Sequence, residues 1–228
     1  MKSTETRLEV KESSWRSEDG RSVVETLIVV VIAAILMSLA VPQMLSGRRL
    51  MRSSVMPREV LAQLRFARQQ AMSQRQAFTF QYDDSAKTIR IFDHNNVNNA
   101  NASCNMSGSA VLSAGGYPTT ACTTTTLTVP LSGAGLPASE ISYGVPGTIT
   151  NSNLSDASTL TALVGNVVNI TFQSDGTVVD SSNNYVNRSL FFYNNRVPTE
   201  TAAAISVLGA AGRIKLWRYS TSASQYAE

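Results

Sequence analysis

The chain has 228 residues, 19 basic and 16 acidic side chains, a formal net charge of +3, two cysteines and one histidine. That length accommodates one globular domain plus a long membrane helix. With one histidine, any Ser-His-Asp or Cys-His arrangement must run through His94, which opens an Asn-rich stretch and reads as a solvated surface side chain. The reading is therefore of a non-enzymatic protein without cofactor or metal.

Residues 1–20 carry four basic side chains (Lys2, Arg7, Lys11, Arg16), five acidic ones (Glu5, Glu9, Glu12, Glu18, Asp19) and no apolar core. They are not an ordinary secretory signal, because the apolar block starts only after them. That block runs from Val23 to Val41 and is broken by a single carboxylate, Glu25. A charge at the centre of a membrane helix costs roughly 2.5–3.5 kcal/mol, so a Glu near the start of such a span needs a partner or a use. A cut after Gly20 makes Glu25 the fifth residue of the shortened chain and Pro42 the twenty-second. It also removes the leader's charges, leaving 15 basic against 11 acidic side chains.

The string Gly20-Arg21-Ser22-Val23-Val24-Glu25-Thr26-Leu27-Ile28-Val29-Val30-Val31-Ile32-Ala33, with Pro42 beyond it, resembles the prepilin family: type IV pilins and the pseudopilins of type II secretion. The resemblance implies cleavage after Gly20 by a prepilin peptidase and N-methylation of the new first residue, Arg21. Family members usually have Phe or Met at that place. It further implies that Glu25 and Pro42 serve filament assembly. Lys and Arg flank both ends of the span and do not fix its orientation. The resemblance does: a single pass through the inner membrane, with the C-terminal domain periplasmic and assembled into a pilus or pseudopilus.

A helical pattern continues past the span to about Gln76, interrupted at Pro42, Gly47 and Pro57. At ~1.5 Å per residue it measures about 80 Å, well beyond a ~30 Å hydrocarbon core, so its second part must enter a folded domain. There Val60, Leu61, Leu64, Ala67, Ala71 and Met72 form an apolar stripe at three- and four-residue steps. Arg48, Arg49, Arg52, Arg58, Arg65, Arg68 and Arg75 crowd the same helix with Glu59 as the only acid among them. They read as a solvated face or as contacts to lipid phosphates.

Alternating residues 77–82 and 88–92 around Asp83-Asp84-Ser85-Ala86 predict a hairpin. Residues 94–165 are poor in charge, rich in Asn, Ser, Thr and Gly, and apolar only at 127–131 and 141–145. They read as a decorated insertion with short strands. Strands resume at 167–172, turn at Ser174-Asp175-Gly176 into 177–179, and continue at 189–193, 204–208 and 213–219. One helix followed by runs of strands predicts an α+β fold, a long N-terminal helix packed on an antiparallel sheet or sandwich-like domain.

Three further strings narrow the resemblance. Leu61 to Ala71 is similar to the Leu…Ala-Arg…Ala helix of the GspH/FimT group of minor pseudopilins, Ile170 to Thr177 to its Phe…Asp-Gly turn, and Gly212-Arg213-Ile214-Lys215 to its closing Gly-Arg strand. The implied organisation is a leader at 1–20, an N-terminal helix at 21–56 with its span at about 23–41, and an exported domain at 57–228 with a variable insertion at about 94–165. In an exported domain the pair Cys104 and Cys122 reads as a disulfide. It would close a loop of about 18 residues and contribute about 3 kcal/mol.

Asp83, Asp84 and Asp175 lack calcium-loop spacing and suit turns. The Asn-x-Ser/Thr triplets are common by chance in so Asn-, Ser- and Thr-rich a chain. In the last strand Arg213, Lys215, Trp217 and Tyr219 share one face at period two. A basic and aromatic exposed face of that kind holds phosphates and stacks on bases. Two functions are carried forward: a minor subunit that assembles with other pilin or pseudopilin subunits, and a pilus-associated subunit that binds DNA for uptake.

Overall fold

The computed structural model describes residues 23–94, 125–132, 136–180 and 184–228, and of Pro42, Leu45 and Ser46 only the backbone. The junction Gly20–Arg21 and the pair Cys104 and Cys122 lie outside the described residues. The chain divides into two units, Met1–Met44 and Leu45–Glu228.

Helix α1 spans Val23–Ser53. Its stretch Val23–Val41, 19 residues, is long and apolar enough to cross a membrane, and none of it is buried. Glu25 lies exposed in the first turn, where the unpaired N–H groups and the helix dipole favour a carboxylate. The interruptions expected at Pro42 and Gly47 do not end the helix. Pro42 withdraws one donor from the ladder, that to the Ser38 carbonyl, and the neighbouring turns continue.

The break comes at Ser54, and α2 spans Val55–Gln74. Pro57 is its cause: it has no N–H for the Ser53 carbonyl, and its ring crowds that oxygen. Ser53 and Ser54 turn their hydroxyls back onto the Arg49 and Met51 carbonyls, each at 2.7 Å. Helix α2 buries Met56, Pro57, Val60, Leu64, Ala67 and Ala71. Met72, expected in that stripe, sits at its margin, 40% exposed.

Among the described residues nine strands follow: β1 Phe78–Asp83, β2 Thr88–Asp93, β3 Thr125–Pro130, β4 Ile141–Tyr143, β5 Val167–Phe172, β6 Arg188–Asn194, β7 Ala203–Leu208, β8 Arg213–Ser220 and β9 Gln225–Ala227. A short helix α3, Pro198–Thr201, joins β6 to β7. Two antiparallel sheets result, ordered β3-β2-β1-β5 and β4-β6-β7-β8-β9. The fold of this unit is α+β. Asp83 sets the first hairpin by accepting from the amides of Ser85 and Ala86 and from the Ser85 hydroxyl. The Ser85 hydroxyl and those two amides hold its carboxyl below the usual range against slight burial.

Alternation decides which residues meet α2. In the first sheet Phe80 lies between Ile91 and Ile170, and Tyr82 between Ile89 and Val168. In the second, Leu190, Ile205 and Leu216 stand in one row. Helix α2 packs against β1, β2 and β5 of one sheet and β7 and β8 of the other, closing a core that includes Leu64, Phe80, Tyr82, Phe172, Leu190 and Ile205. The opposite face of the second sheet is also buried. Phe191, Ala204, Trp217 and Tyr226 pack there with Ile149 and Leu154 from the segment after β4.

Residues 94–165 thus supply an edge strand to each sheet, β3 on β2 and β4 on β6, and the cover of this second core. Asn194, fully buried, ties three parts together. Its side-chain amide donates to Ser53 Oγ at 3.0 Å and Glu140 Oε2 at 2.9 Å, and its carbonyl oxygen accepts from the Arg196 amide.

Candidate functional site

The four residues singled out on the last strand do share a face of β8, but that face is not an open platform. Trp217 is 2% exposed, and its indole N–H donates to Ser206 Oγ at 2.8 Å. Ser206 in turn donates to the Asp156 carboxylate. Burial opposes the charge on Asp156, but hydrogen bonds from Ser206 and Ser158, with Lys215 nearby, hold its carboxyl below the usual range. Lys215 places its ammonium 4.8 Å from the centre of the Trp217 ring and 2.6 Å from Glu228 Oε2. Arg213 is exposed and 3.9 Å from the same carboxylate.

The exposed basic and aromatic face read from the sequence is therefore corrected: the alternation was right, and what covers the strand was not visible. Strand β9 brings Tyr226 and Glu228 alongside, and the segment after β4 brings Ile149, Leu154 and Asp156. Tyr219 packs edge-on against Tyr226 and lines a groove of about 400 Å³ with Leu50, Ser54, Pro57, Glu200 and Arg218.

His94 is a second correction. It is buried, 2% exposed, with Nε2 2.7 Å from Thr79 Oγ1, which lies 2.8 Å from Thr171 Oγ1. Thr79 and Thr171 are cross-strand partners in β1 and β5. Burial pushes the imidazole down from 6.5 to about 4. The folded state thus holds it neutral while the unfolded chain takes up a proton below pH 6.5. Stability falls as pH drops from 6.5 toward 4 and the contribution levels off below that. Between pH 7 and 4.5 the expected loss from this residue is about 2–3 kcal/mol. Denaturation midpoints of the wild type and His94→Gln at both pH values measure it. Equal pH dependence in the two proteins rules this contribution out.

The three strings of the C-terminal resemblance, far apart in sequence, meet at one place. Arg68 on α2 donates through Nε to the Gly176 carbonyl and through Nη2 to the Ala211 carbonyl, both at 3.2 Å. Gly176 has φ +81° and Gly212 φ +59°, and a Cβ on Gly212 would lie 1.9 Å from the Gly176 oxygen. Only glycine permits that approach with that backbone. This clasp joins α2 to the β5 turn and the start of β8. It is architectural: a guanidinium satisfying two carbonyls where two tight turns touch. Each string is legible in the sequence, but no local pattern signals that they converge.

Among the described residues no group of His, Cys, Asp and Glu has the arrangement of a metal site. Glu25 stands alone in the first turn of α1, and Pro42 lies within α1, both in the first unit.

No family model matches the chain, and no curated protein matches it. It is similar to crystal structures of the type IV minor pilin FimU of Pseudomonas aeruginosa strain PAO1. For one crystal form the identity is 21% and the TM-score 0.40, over 72% of this chain and 86% of that one. For a second form the values are 18% and 0.39, over 72% and 90%.

Proposed function

We propose that the chain is a non-enzymatic minor subunit of the pilin type, built into a type IV pilus or a type II secretion pseudopilus. The observation that carries the reading is the N-terminal junction. Gly20 precedes a 19-residue apolar helix stretch that buries nothing within its own chain, and one carboxylate sits in the first turn of that helix. A peptidase that cuts after Gly20 creates an α-amino group on Arg21, and methylation there keeps the positive charge. The span holds the subunit in the inner membrane until assembly, when the α-amino group of one subunit meets Glu25 of another. The exported domain, residues 57–228, stays on the periplasmic side, where Cys104 and Cys122 form their bridge. As folded, β8 offers a nucleic acid Arg213 and Arg218 but no stacking from the buried Trp217, which favours the structural subunit over a DNA receptor.

The intact mass of protein isolated from native membranes tests the processing. The expected species begins at Arg21 and carries one methyl group. A chain that keeps Met1–Gly20 in cells with active prepilin peptidase overturns the reading. A deletion strain scored for pilus-driven motility, protein secretion and DNA uptake then assigns the machine.

A further inference from the structure

Met72 stands at the margin of the α2 stripe, 40% exposed, and belongs to neither buried core. Its thioether nevertheless has a definite seat. A Cβ built on Gly176 would lie 2.8 Å from Met72 Sδ, 3.1 Å from Met72 Cγ and 3.0 Å from Arg68 Nε. The sulfur therefore rests on the bare backbone of the β5 turn, beside the guanidinium that clasps that turn. Arg68 and Met72 are four positions apart on α2, so their side chains are neighbours on one helix face, about 6 Å apart. Arg68 Nε carries a single hydrogen, which it gives to the Gly176 carbonyl at 3.2 Å, while Nη2 donates to the Ala211 carbonyl at the same distance.

We infer that Met72 is an oxidation site and that its sulfoxide opens the clasp between α2, the β5 turn and the start of β8. The oxidant class is a peroxide. A sulfur lone pair attacks one oxygen of hydrogen peroxide: the S–O bond forms, the O–O bond breaks, and the second oxygen leaves as water after taking up the proton of the first. Sulfur is oxidised by two electrons and the peroxide is reduced. The product is a polar group where a flexible apolar one stood. Two consequences follow from the seat of the sulfur. Its apolar contact with Gly176 is lost, and a strong acceptor now stands within reach of Arg68 Nε. That nitrogen has one hydrogen, so what the sulfoxide oxygen takes the Gly176 carbonyl loses. The inference concerns the folded unit alone and holds whichever filament the subunit joins.

The test uses the full-length protein in detergent micelles with Trp15 replaced by Phe, treated with hydrogen peroxide and mapped for sulfoxides by peptide mass. Urea denaturation followed by Trp217 fluorescence compares this parent with Met72→Leu, a swap of similar volume at an exposed helix position. The other methionines oxidise alike in both proteins. Peroxide should raise the unfolding constant about fivefold more in the parent, the weight of one hydrogen bond. Untreated Met72→Gln, which carries a fixed acceptor oxygen at similar reach, should unfold more readily than untreated Met72→Leu. Arg68→Leu has no hydrogen to divert, so oxidation of Met72 should cost it far less. Equal peroxide responses of the parent and Met72→Leu overturn the inference. So does a Met72 that stays unoxidised at peroxide concentrations that convert Met51, which is 75% exposed. A full response retained in Arg68→Leu assigns the loss to packing on Gly176 and overturns the competition for Arg68. Should Arg68→Leu not fold, the comparisons among the residue 72 variants decide alone.

Discussion

Gly212→Ala is expected to destabilise the Leu45–Glu228 unit by at least about 2 kcal/mol more than Gly165→Ala, although the two glycines share one φ. Both have φ +59°, so each substitution carries the left-handed penalty of about 1–2 kcal/mol. Gly165 faces open space, with nothing within 4 Å of an added Cβ. At Gly212 the added carbon would stand 1.9 Å from the Gly176 oxygen and 2.8 Å from Arg68 Nε. One contact is backbone, and the other belongs to the side chain whose hydrogen bond fixes that backbone. Relief requires the β5 turn to move away from β8, which breaks the Arg68 clasp and uncovers the end of α2. Urea denaturation of the full-length protein in detergent micelles, followed by fluorescence, measures both variants. With Trp15 replaced by Phe, Trp217 is the only indole, and it is buried in this unit. Equal midpoints for the two variants would show that the Gly176 carbonyl yields without cost, and the clasp would lose its structural role.

What the sequence made legible follows from how local the controlling interaction is. Strands β1 and β2 announce themselves because alternation and the Asp83 turn both act over a few residues. The run Val167–Phe172 and the strands β6, β7 and β8 were readable for the same reason. Strand β9 was not: three residues with one large side chain of apolar body, Tyr226, carry no periodicity. His94 was misread because its own neighbours are polar, while its burial is set by pairing with Thr79, 15 positions away. Trp217 shows the same division. Period two put it on the right face, yet the side chains that cover it come from residues 149 and 154 and from β9, a segment without regular pattern. Of the three interruptions expected, only that at Pro57 breaks the helix, and the reason is energetic. Pro42 costs one bond within a long ladder, whereas Pro57 lies where two serines and Asn194 already redirect the chain toward the sheets. The clasp is the extreme case, since Arg68 and Ala211 are 143 positions apart and no local rule connects them.

Replacement of Glu25 should leave folding and insertion intact and lower incorporation into filaments at least about tenfold, which corresponds to about 1.4 kcal/mol of lost coupling. The directions of the separate effects make the experiment decisive. Glu25 lies in the first turn of α1, in a different unit from the sheets, so Glu25→Ala should not move the denaturation midpoint of Leu45–Glu228. In a bilayer the substitution removes a carboxylate from an otherwise uncharged span, which makes insertion easier. Alanine is also the best helix former, which offsets part of the roughly 0.3–1 kcal/mol that a first-turn carboxylate gains from the helix N-terminus. Every single-chain effect is therefore small or favourable. A fall in incorporation can then come only from a contact that exists in the assembly, the attraction between this carboxylate and the α-amino group of a neighbouring subunit. Such a pair is strong where water is excluded, and removal of one partner leaves the other charge buried and uncompensated, a loss of about 2–5 kcal/mol. Glu25→Gln keeps the shape and should fail in the same way, which separates charge from packing. Filaments sheared from cells expressing each variant at wild-type level, quantified by immunoblot, give the measurement. Incorporation of Glu25→Ala at the wild-type level would remove the pair from the mechanism and leave the carboxylate explained by the helix N-terminus alone.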